Sequence, residues 1–112
     1  MGDDVTKVVA LITRKNGVPQ ESFLHHWQIE HPPYVWALPG LQRYVQNPAL
    51  DRSRTWAYDG MAELWFDSVG DVARAFASPE AVPLHNHEAE FIGEVVWFLT
   101  DEREVPDVRD HS

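Results

Sequence analysis

The chain predicts an α+β domain with the element order β-α-β-β-α-β, and three observations carry that expectation. Four segments have strand composition, two have helical period, and the helical ones fall between strands one and two and between strands three and four. At 112 residues the chain has room for one core and not for two ordinary domains.

Lys7 to Thr13, KVVALIT, is β-branched and apolar with little alternation, as a strand covered on both faces would be. Asn16-Gly17 ends it with a turn. From Pro19 the period becomes helical: Phe23, Trp27, then Glu30 or His31, then Tyr34 and Leu38 share one stripe. Pro32-Pro33 interrupts it, because each proline lacks an N–H and disfavours helix before it. The expectation is a helix over about 20–31, a break, and a short helix to Leu38, closed by Pro39-Gly40. Leu41 to Gln46 reads as the second strand, with Leu41, Arg43 and Val45 on one side and Gln42, Tyr44 and Gln46 on the other. A loop over Asn47 to Gly60 follows, carrying Trp56 and Tyr58. Met61 to Asp67 alternates as the third strand. Ser68 and Asp71 then fit a capping box opening a helix to about Ser78, with Val72, Ala73, Phe76 and Ala77 inward. Pro79 and Pro83 bracket an irregular or short helical piece, His85 to Ile92 adds a helical turn or two, and Glu94 to Thr100 is the fourth strand. Residues 1–104 are expected to form the domain and 105–112 an acidic, loose tail.

This order is the ferredoxin-like split βαβ arrangement, an antiparallel sheet with helices on one face only. The other face of such a sheet should alternate with polar residues if it is wet, yet strands one and four are apolar on both faces. A second copy of the sheet would cover it, which predicts a homodimeric α+β barrel.

Composition excludes several partners. Lys and Arg total 9 against 18 Asp and Glu, a formal charge of −9, which is wrong for a polyanionic nucleic acid or an anionic membrane surface. No apolar run approaches the roughly 20 residues a bilayer span needs. The start, Met-Gly-Asp-Asp, is acidic where a signal peptide is basic, so a cytoplasmic location is the expectation. With 0 cysteines, disulfides, thiolate nucleophiles and thiolate metal sites are all absent.

Histidine is the main chemical asset, because imidazole moves protons near neutrality. His31 shares the Trp27 stripe at the point where Pro32 breaks the helix, a way to aim a side chain into a cavity; capping a helix end is the bland alternative. His25 and His26 point about 100° apart and read as surface or groove residues. His85 and His87, with Glu88 and Glu90 nearby, sit in a helical or irregular stretch that splays them. Joined by His31 they would compose a three-ligand metal set, but the spacing does not demand one, and no metal is expected. Trp27, Tyr34, Trp36, Trp56, Tyr58, Trp65 and Trp97 exceed what so small a core needs, so some should line an apolar pocket. Arg43 is a candidate for holding a carboxylate or enolate oxygen there, with a salt bridge as the alternative.

The run FLHHWQIEHPPYVWALPGLQRYVQN, Phe23 to Asn47, resembles the EthD-like family of the dimeric α+β barrel superfamily. YDGMAELWFDS, Tyr58 to Ser68, looks like the family's third strand, and SPEA near Ser78 followed by FIGEVVWFLTDE fits its end, so the resemblance covers about residues 5–104. It implies a ferredoxin-like protomer, a two-fold homodimer and acid/base chemistry on enolisable carbonyl compounds without cofactor or metal. The family's recurring His matches His31, and Trp27 matches the aromatic beside it. Where many members carry an acidic residue before the Phe that precedes strand four, this chain reads His85-Asn86-His87-Glu88-Ala89-Glu90-Phe91, so Glu88, Glu90 or His87 is left to partner His31. The implied reading is an isomerase, cyclase or dehydratase acting on a small apolar or aromatic-derived carbonyl or lactone. His31 would be the base, Tyr34 or His87 the assisting acid, and Arg43 or a backbone N–H the enolate partner, with Trp27, Trp36, Trp65, Trp97 and His85 lining the site. The alternatives are a haem-handling monooxygenase with His85 or His87 as axial ligand, or a non-catalytic ligand-binding accessory protein. The latter would be marked by a groove filled with side chains and by His31 bonded to a carbonyl.

Overall fold

A computed structural model describes residues 5–51 and 55–109. Strands β1 (Thr6–Arg14), β2 (Arg43–Pro48), β3 (Gly60–Phe66) and β4 (Ile92–Thr100) form one antiparallel sheet in the order β2-β3-β1-β4. Between β1 and β2 run α1 (Gln20–His25), a π-helical turn (His26–Glu30) and α2 (Pro32–Trp36); between β3 and β4 run α3 (Val69–Phe76) and α4 (Ala81–Phe91). This is the ferredoxin-like topology expected from the element order. The N-terminal Met-Gly-Asp-Asp and the last three residues of the tail lie outside the described residues, and 101–109 leave β4 exposed, with neither helix nor strand. No helix among the described residues is long and apolar enough to cross a membrane.

Several boundaries differ from the sequence reading, each for a physical reason. β2 begins at Arg43 rather than Leu41 and ends on Pro48, which an edge strand tolerates because no neighbour needs its N–H. α4 is one continuous helix from Ala81, so the segment read as irregular or short helical is helical and runs unbroken into the turns expected from His85. Pro83 is its third residue, where the amide has no intrahelical partner to lose. Ser68 caps α3 as predicted, its hydroxyl accepting from the Asp71 N–H at 3.1 Å. The inward face of α3 is Val72 and Ala75 with Phe76 half-buried, whereas Ala73 and Ala77 are exposed.

Strand register decides which side chains can meet a ligand. Tyr44, Leu64, Val8 and Leu99 form one cross-strand row, and Gln46, Ala62, Ala10 and Trp97 form the next, on the face that carries the helices. The core between the layers holds Phe23, Trp27, Phe66, Leu84 and Phe91. The alternate rows, Arg43–Trp65–Lys7 and Val45–Glu63–Val9–Phe98, lie on the face without helices. There Lys7 donates to Glu63 at 2.8 Å, and Lys7 and Arg43 lie over the Trp65 ring at 5.1 and 4.3 Å. Val96 and Phe98 on the same face are 43% and 50% exposed, so this apolar strip is uncovered in the single chain.

The ion pair on this face makes stability depend on pH. The Lys7 hydrogen bond, helped by Asn47 and opposed by burial, holds the Glu63 carboxyl below its usual range. The same bond raises Lys7. A depressed carboxylate stabilises the fold above its unfolded value of about 4.3 and loses that contribution as pH falls through its folded value. A raised lysine stabilises below about 10.4 and loses its contribution as pH climbs through the folded value. Urea unfolding from pH 7 to 3 should therefore show a steeper loss in the wild type than in Glu63→Gln. Parallel acid limbs would remove Glu63 from the account.

Candidate active site

The site begins where the helix breaks. The His31 N–H bonds the His26 carbonyl at 2.8 Å, an i to i+5 contact that defines the π-turn. The Trp27 carbonyl would take its bond from His31 in an α-helix or from residue 32 in a π-helix. The first amide is already engaged, and the second belongs to proline and has no hydrogen. Gln46 on β2 fills the vacancy, its Nε2 donating to the Trp27 carbonyl at 2.7 Å and to the Tyr44 hydroxyl at 2.6 Å. One amide thus ties the break in the helix to a phenol on the sheet.

The break turns His31 inward against α4. His31 and His87 are 3% and 5% exposed, with their Nδ1 atoms 2.8 Å apart and the rings stacked at 5.1 Å. Tyr34 stacks on the same His87 ring at 5.0 Å, and the Phe91 ring packs against both imidazoles. Each end of the pair meets a carboxylate: His31 Nε2 lies 3.7 Å from Glu88 Oε2, and His87 Nε2 lies 3.5 Å from Glu30 Oε1. His26 and His25 also bond Glu30, both at 3.0 Å. Burial works to raise the Glu30 carboxyl, but the three imidazoles outweigh it and hold the group below its usual range. Among the described residues, His26, Glu30 and His87 bring three metal-competent donor atoms together.

Glu88 is the member that reaches open space. A cavity of about 470 Å³ lies between the sheet and the helices, walled by Val8, Ile12, Leu64, Val72, Leu84 and other apolar side chains. Tyr44, His85 and Glu88 are the titratable residues among those that line it. Burial pushes the Glu88 carboxyl up, yet the His31 ring at 3.7 Å and the His85 ring, hydrogen-bonded at 3.0 Å, bring it below the ordinary carboxylate range. It is therefore an ionised base in an apolar enclosure. Burial, with the Glu88 charge adding to it, pushes the Tyr44 phenol up to about 12. Because Gln46 donates to its oxygen, the Tyr44 proton is left to donate elsewhere.

The structure brings together His31, His87 and Tyr34, the three residues expected to be catalytic, and leaves all three outside the cavity lining. Trp27, Trp97 and His85 do line it. Trp36 does not; it is half exposed and meets the Tyr44 ring edge-on at 6.3 Å. Arg43 and Trp65 are corrections to the sequence reading: both lie on the opposite face of the sheet, stacked on each other, because β2 turns Tyr44 and Gln46 to the helices. Of the acids left open as partners for His31, Glu88 fills the place and Glu90 is exposed. Tyr44 and Gln46 were not singled out. Their signal was Gln46 itself, a buried-side amide in phase with a tyrosine and available to the carbonyl that Pro32 leaves unpaired. His31 bonds an imidazole rather than a carbonyl, and the groove holds open volume, so neither mark of the accessory reading is present. His87 is buried and lies outside the cavity lining, so a haem held in the cavity would not reach it, which leaves His85 as that alternative's candidate.

Comparison with known proteins places this chain in a family. The family model described as the EthD domain matches residues 15–94. The chain belongs to the EthD family. An uncharacterised 11.0 kDa protein of the thcB-thcC intergenic region of Rhodococcus erythropolis is 33% identical over 87 residues, covering 75% of this chain and 84% of that one. Among solved structures, an EthD family protein from Bacillus halodurans superposes with a TM-score of 0.75 at 18% identity, over 88% of this chain and 99% of its own. A dimeric ferredoxin-like protein of unknown function from Bacteroides fragilis gives 0.70 at 13%, over 91% and 100%. SnoaB, a cofactor-independent oxygenase from Streptomyces nogalater, gives 0.66 at 17%, over 91% and 96%. At these identities the structures establish that this EthD protein shares their fold.

Proposed function

We propose that this EthD protein is an acid/base enzyme of isomerase or lyase type, acting on an apolar carbonyl or lactone compound held in the cavity. The observation that carries the reading is Glu88, an ionised carboxylate in the wall of an apolar cavity, backed by a buried imidazole pair. In the reaction Glu88 takes a proton from the carbon beside the substrate carbonyl. The C–H electrons form a carbon–carbon double bond as the carbonyl becomes an enolate, and the Tyr44 O–H donates to that oxygen. Return of the proton to another carbon gives an isomer; loss of a leaving group from the neighbouring carbon gives an elimination.

This reading moves His31 from base to a place behind the base. The row Glu30–His87–His31–Glu88 runs through three contacts, at 3.5, 2.8 and 3.7 Å, so the base in the cavity wall is backed by a continuous line of proton-carrying groups. Tyr34 packs over His87 and fixes its ring.

The test is exchange of α-protons in D2O, followed by proton NMR over aryl ketones and unsaturated lactones that bind the protein. The wild type should exchange them, Tyr44→Phe should slow the exchange at unchanged fold, and Glu88→Gln should suppress it. Binding without exchange in the wild type would overturn the assignment.

We also propose that the uncovered sheet face joins two copies, supported by its exposed Val96 and Phe98 and by the dimeric neighbour of the same fold. Sedimentation equilibrium should give a dimer for the wild type and a monomer for Phe98→Glu; a monomeric wild type would refute it.

A further inference from the structure

We infer that His26, Glu30 and His87 form a binding site for a divalent first-row transition metal at the outer end of the imidazole row. The donor atoms form a triangle. His26 Nδ1 to Glu30 Oε1 is 3.0 Å, His87 Nε2 to the same oxygen is 3.5 Å, and His26 Nδ1 to His87 Nε2 is 3.4 Å. A metal bound at 2.0–2.1 Å needs donors about 3.0 Å apart along an octahedral edge and about 3.4 Å apart along a tetrahedral one. The two edges at His26 fall in that span and the His87–Glu30 edge exceeds it by about 0.1 Å, a small movement of the exposed Glu30 side chain.

Its construction resembles that of a metal site in other respects. His26 and Glu30 are four residues apart on the same turn, so the helix itself presents both to one side. The second Glu30 oxygen is held by His25 at 3.0 Å. The far nitrogen of His87 is held by His31, and the His26 ring is stacked on Phe91 at 5.4 Å with 4° between planes. Each ligand is thus oriented from behind, as metal ligands are. The Glu30 side chain is 43% exposed and that of His87 6%, which gives the triangle one open side and one closed one. Two imidazoles and one carboxylate suit zinc, cobalt, nickel or ferrous iron rather than calcium or magnesium.

Occupancy would also orient the row behind the site. Metal on His87 Nε2 leaves Nδ1 as the ring's hydrogen-bearing nitrogen, and that atom faces His31 Nδ1 across 2.8 Å. The site thus positions His31, the imidazole beside Glu88.

Cobalt(II) titration of the chelator-treated protein, read by visible absorption, tests the site. One equivalent should give a ligand-field spectrum. His26→Ala and Glu30→Gln should each weaken binding at least 10-fold, and His85→Ala should leave it unchanged. Circular dichroism checks the fold, and Glu30→Gln, at the most exposed ligand, serves if His26→Ala does not fold. Cobalt bound equally by wild type and both variants, or not bound, overturns the proposal. Nitrogen-15 NMR of the zinc-titrated protein should show His87 Nε2 shifted by the metal; an unshifted His87 Nε2 overturns its place in the site. Glu88→Gln should keep cobalt binding while losing α-proton exchange, so failure of one reading is separable from failure of the other.

Discussion

Glu88→Gln is expected to lower turnover by about 10²–10⁴-fold, the contribution of a positioned general base. Glutamine keeps the shape of the side chain and can still meet His31 and His85, so the cavity and the imidazole pair should persist. What disappears is the charge and the ability to take a proton. Stability should respond to the same ionisation. Burial disfavours the charged carboxyl, but its two imidazole partners more than compensate, and its folded pKa lies below the ordinary value. A depressed carboxylate stabilises above its unfolded value, so the variant should be slightly less stable than wild type at neutral pH and converge with it as pH falls through the carboxylate range. Steady-state kinetics on any substrate found by the exchange assay, with urea melts at pH 7 and 4, measure both. Near-wild-type kcat in a folded Glu88→Gln protein would exclude Glu88 as the base.

Trp27→Ala should cost about 3–5 kcal/mol, the usual loss for emptying a buried large aromatic site. Trp27 is 1% exposed, packs on Phe23 at 5.6 Å, and its indole reaches the β3 backbone at Gly60. The fit there is close: a Cβ on Gly60 would stand 2.5 Å from the ring and 3.2 Å from the Asn47 carbonyl. Gly60→Ala should therefore cost about 1–3 kcal/mol by overpacking. Because the ring is the main obstacle, Gly60→Ala made in the Trp27→Ala background should cost much less than in the wild type. Guanidinium unfolding of the four proteins reads this directly, and strict additivity would mean that the ring and Gly60 do not meet. The same indole walls the cavity, so its removal should also enlarge the ligand space.

Much of this arrangement was legible from local chemistry. Pro32-Pro33 marked the break that turns His31 inward, and Ser68 with Asp71 marked the start of α3, because both signals act within a few residues. Which face of β2 meets the helices was not legible. Alternation separates Arg43 from Tyr44 but does not say which row is covered; that is settled by the Trp27 carbonyl, a partner 19 residues away. The meeting of His31 with His87 is likewise a property of how the π-turn packs on α4, across 56 residues of chain. Four of the five tryptophans divided three ways for the same reason: Trp27 and Trp97 to the cavity, Trp65 to the far face, Trp36 to solvent.

The bond from Gln46 to the Trp27 carbonyl also sets a parity rule for the chain. Strand side chains alternate with period two, so lengthening or shortening the path from Trp36 to Arg43 by one residue, if β2 slid to absorb it, would exchange the two rows of that strand. Arg43 and Val45 would then face the helices, the cavity would lose its phenol, and the carbonyl beside Pro32 would lose its amide. A two-residue change restores the rows. The connection ahead of β2 is thus free in sequence where it is exposed, yet constrained in the evenness of its length.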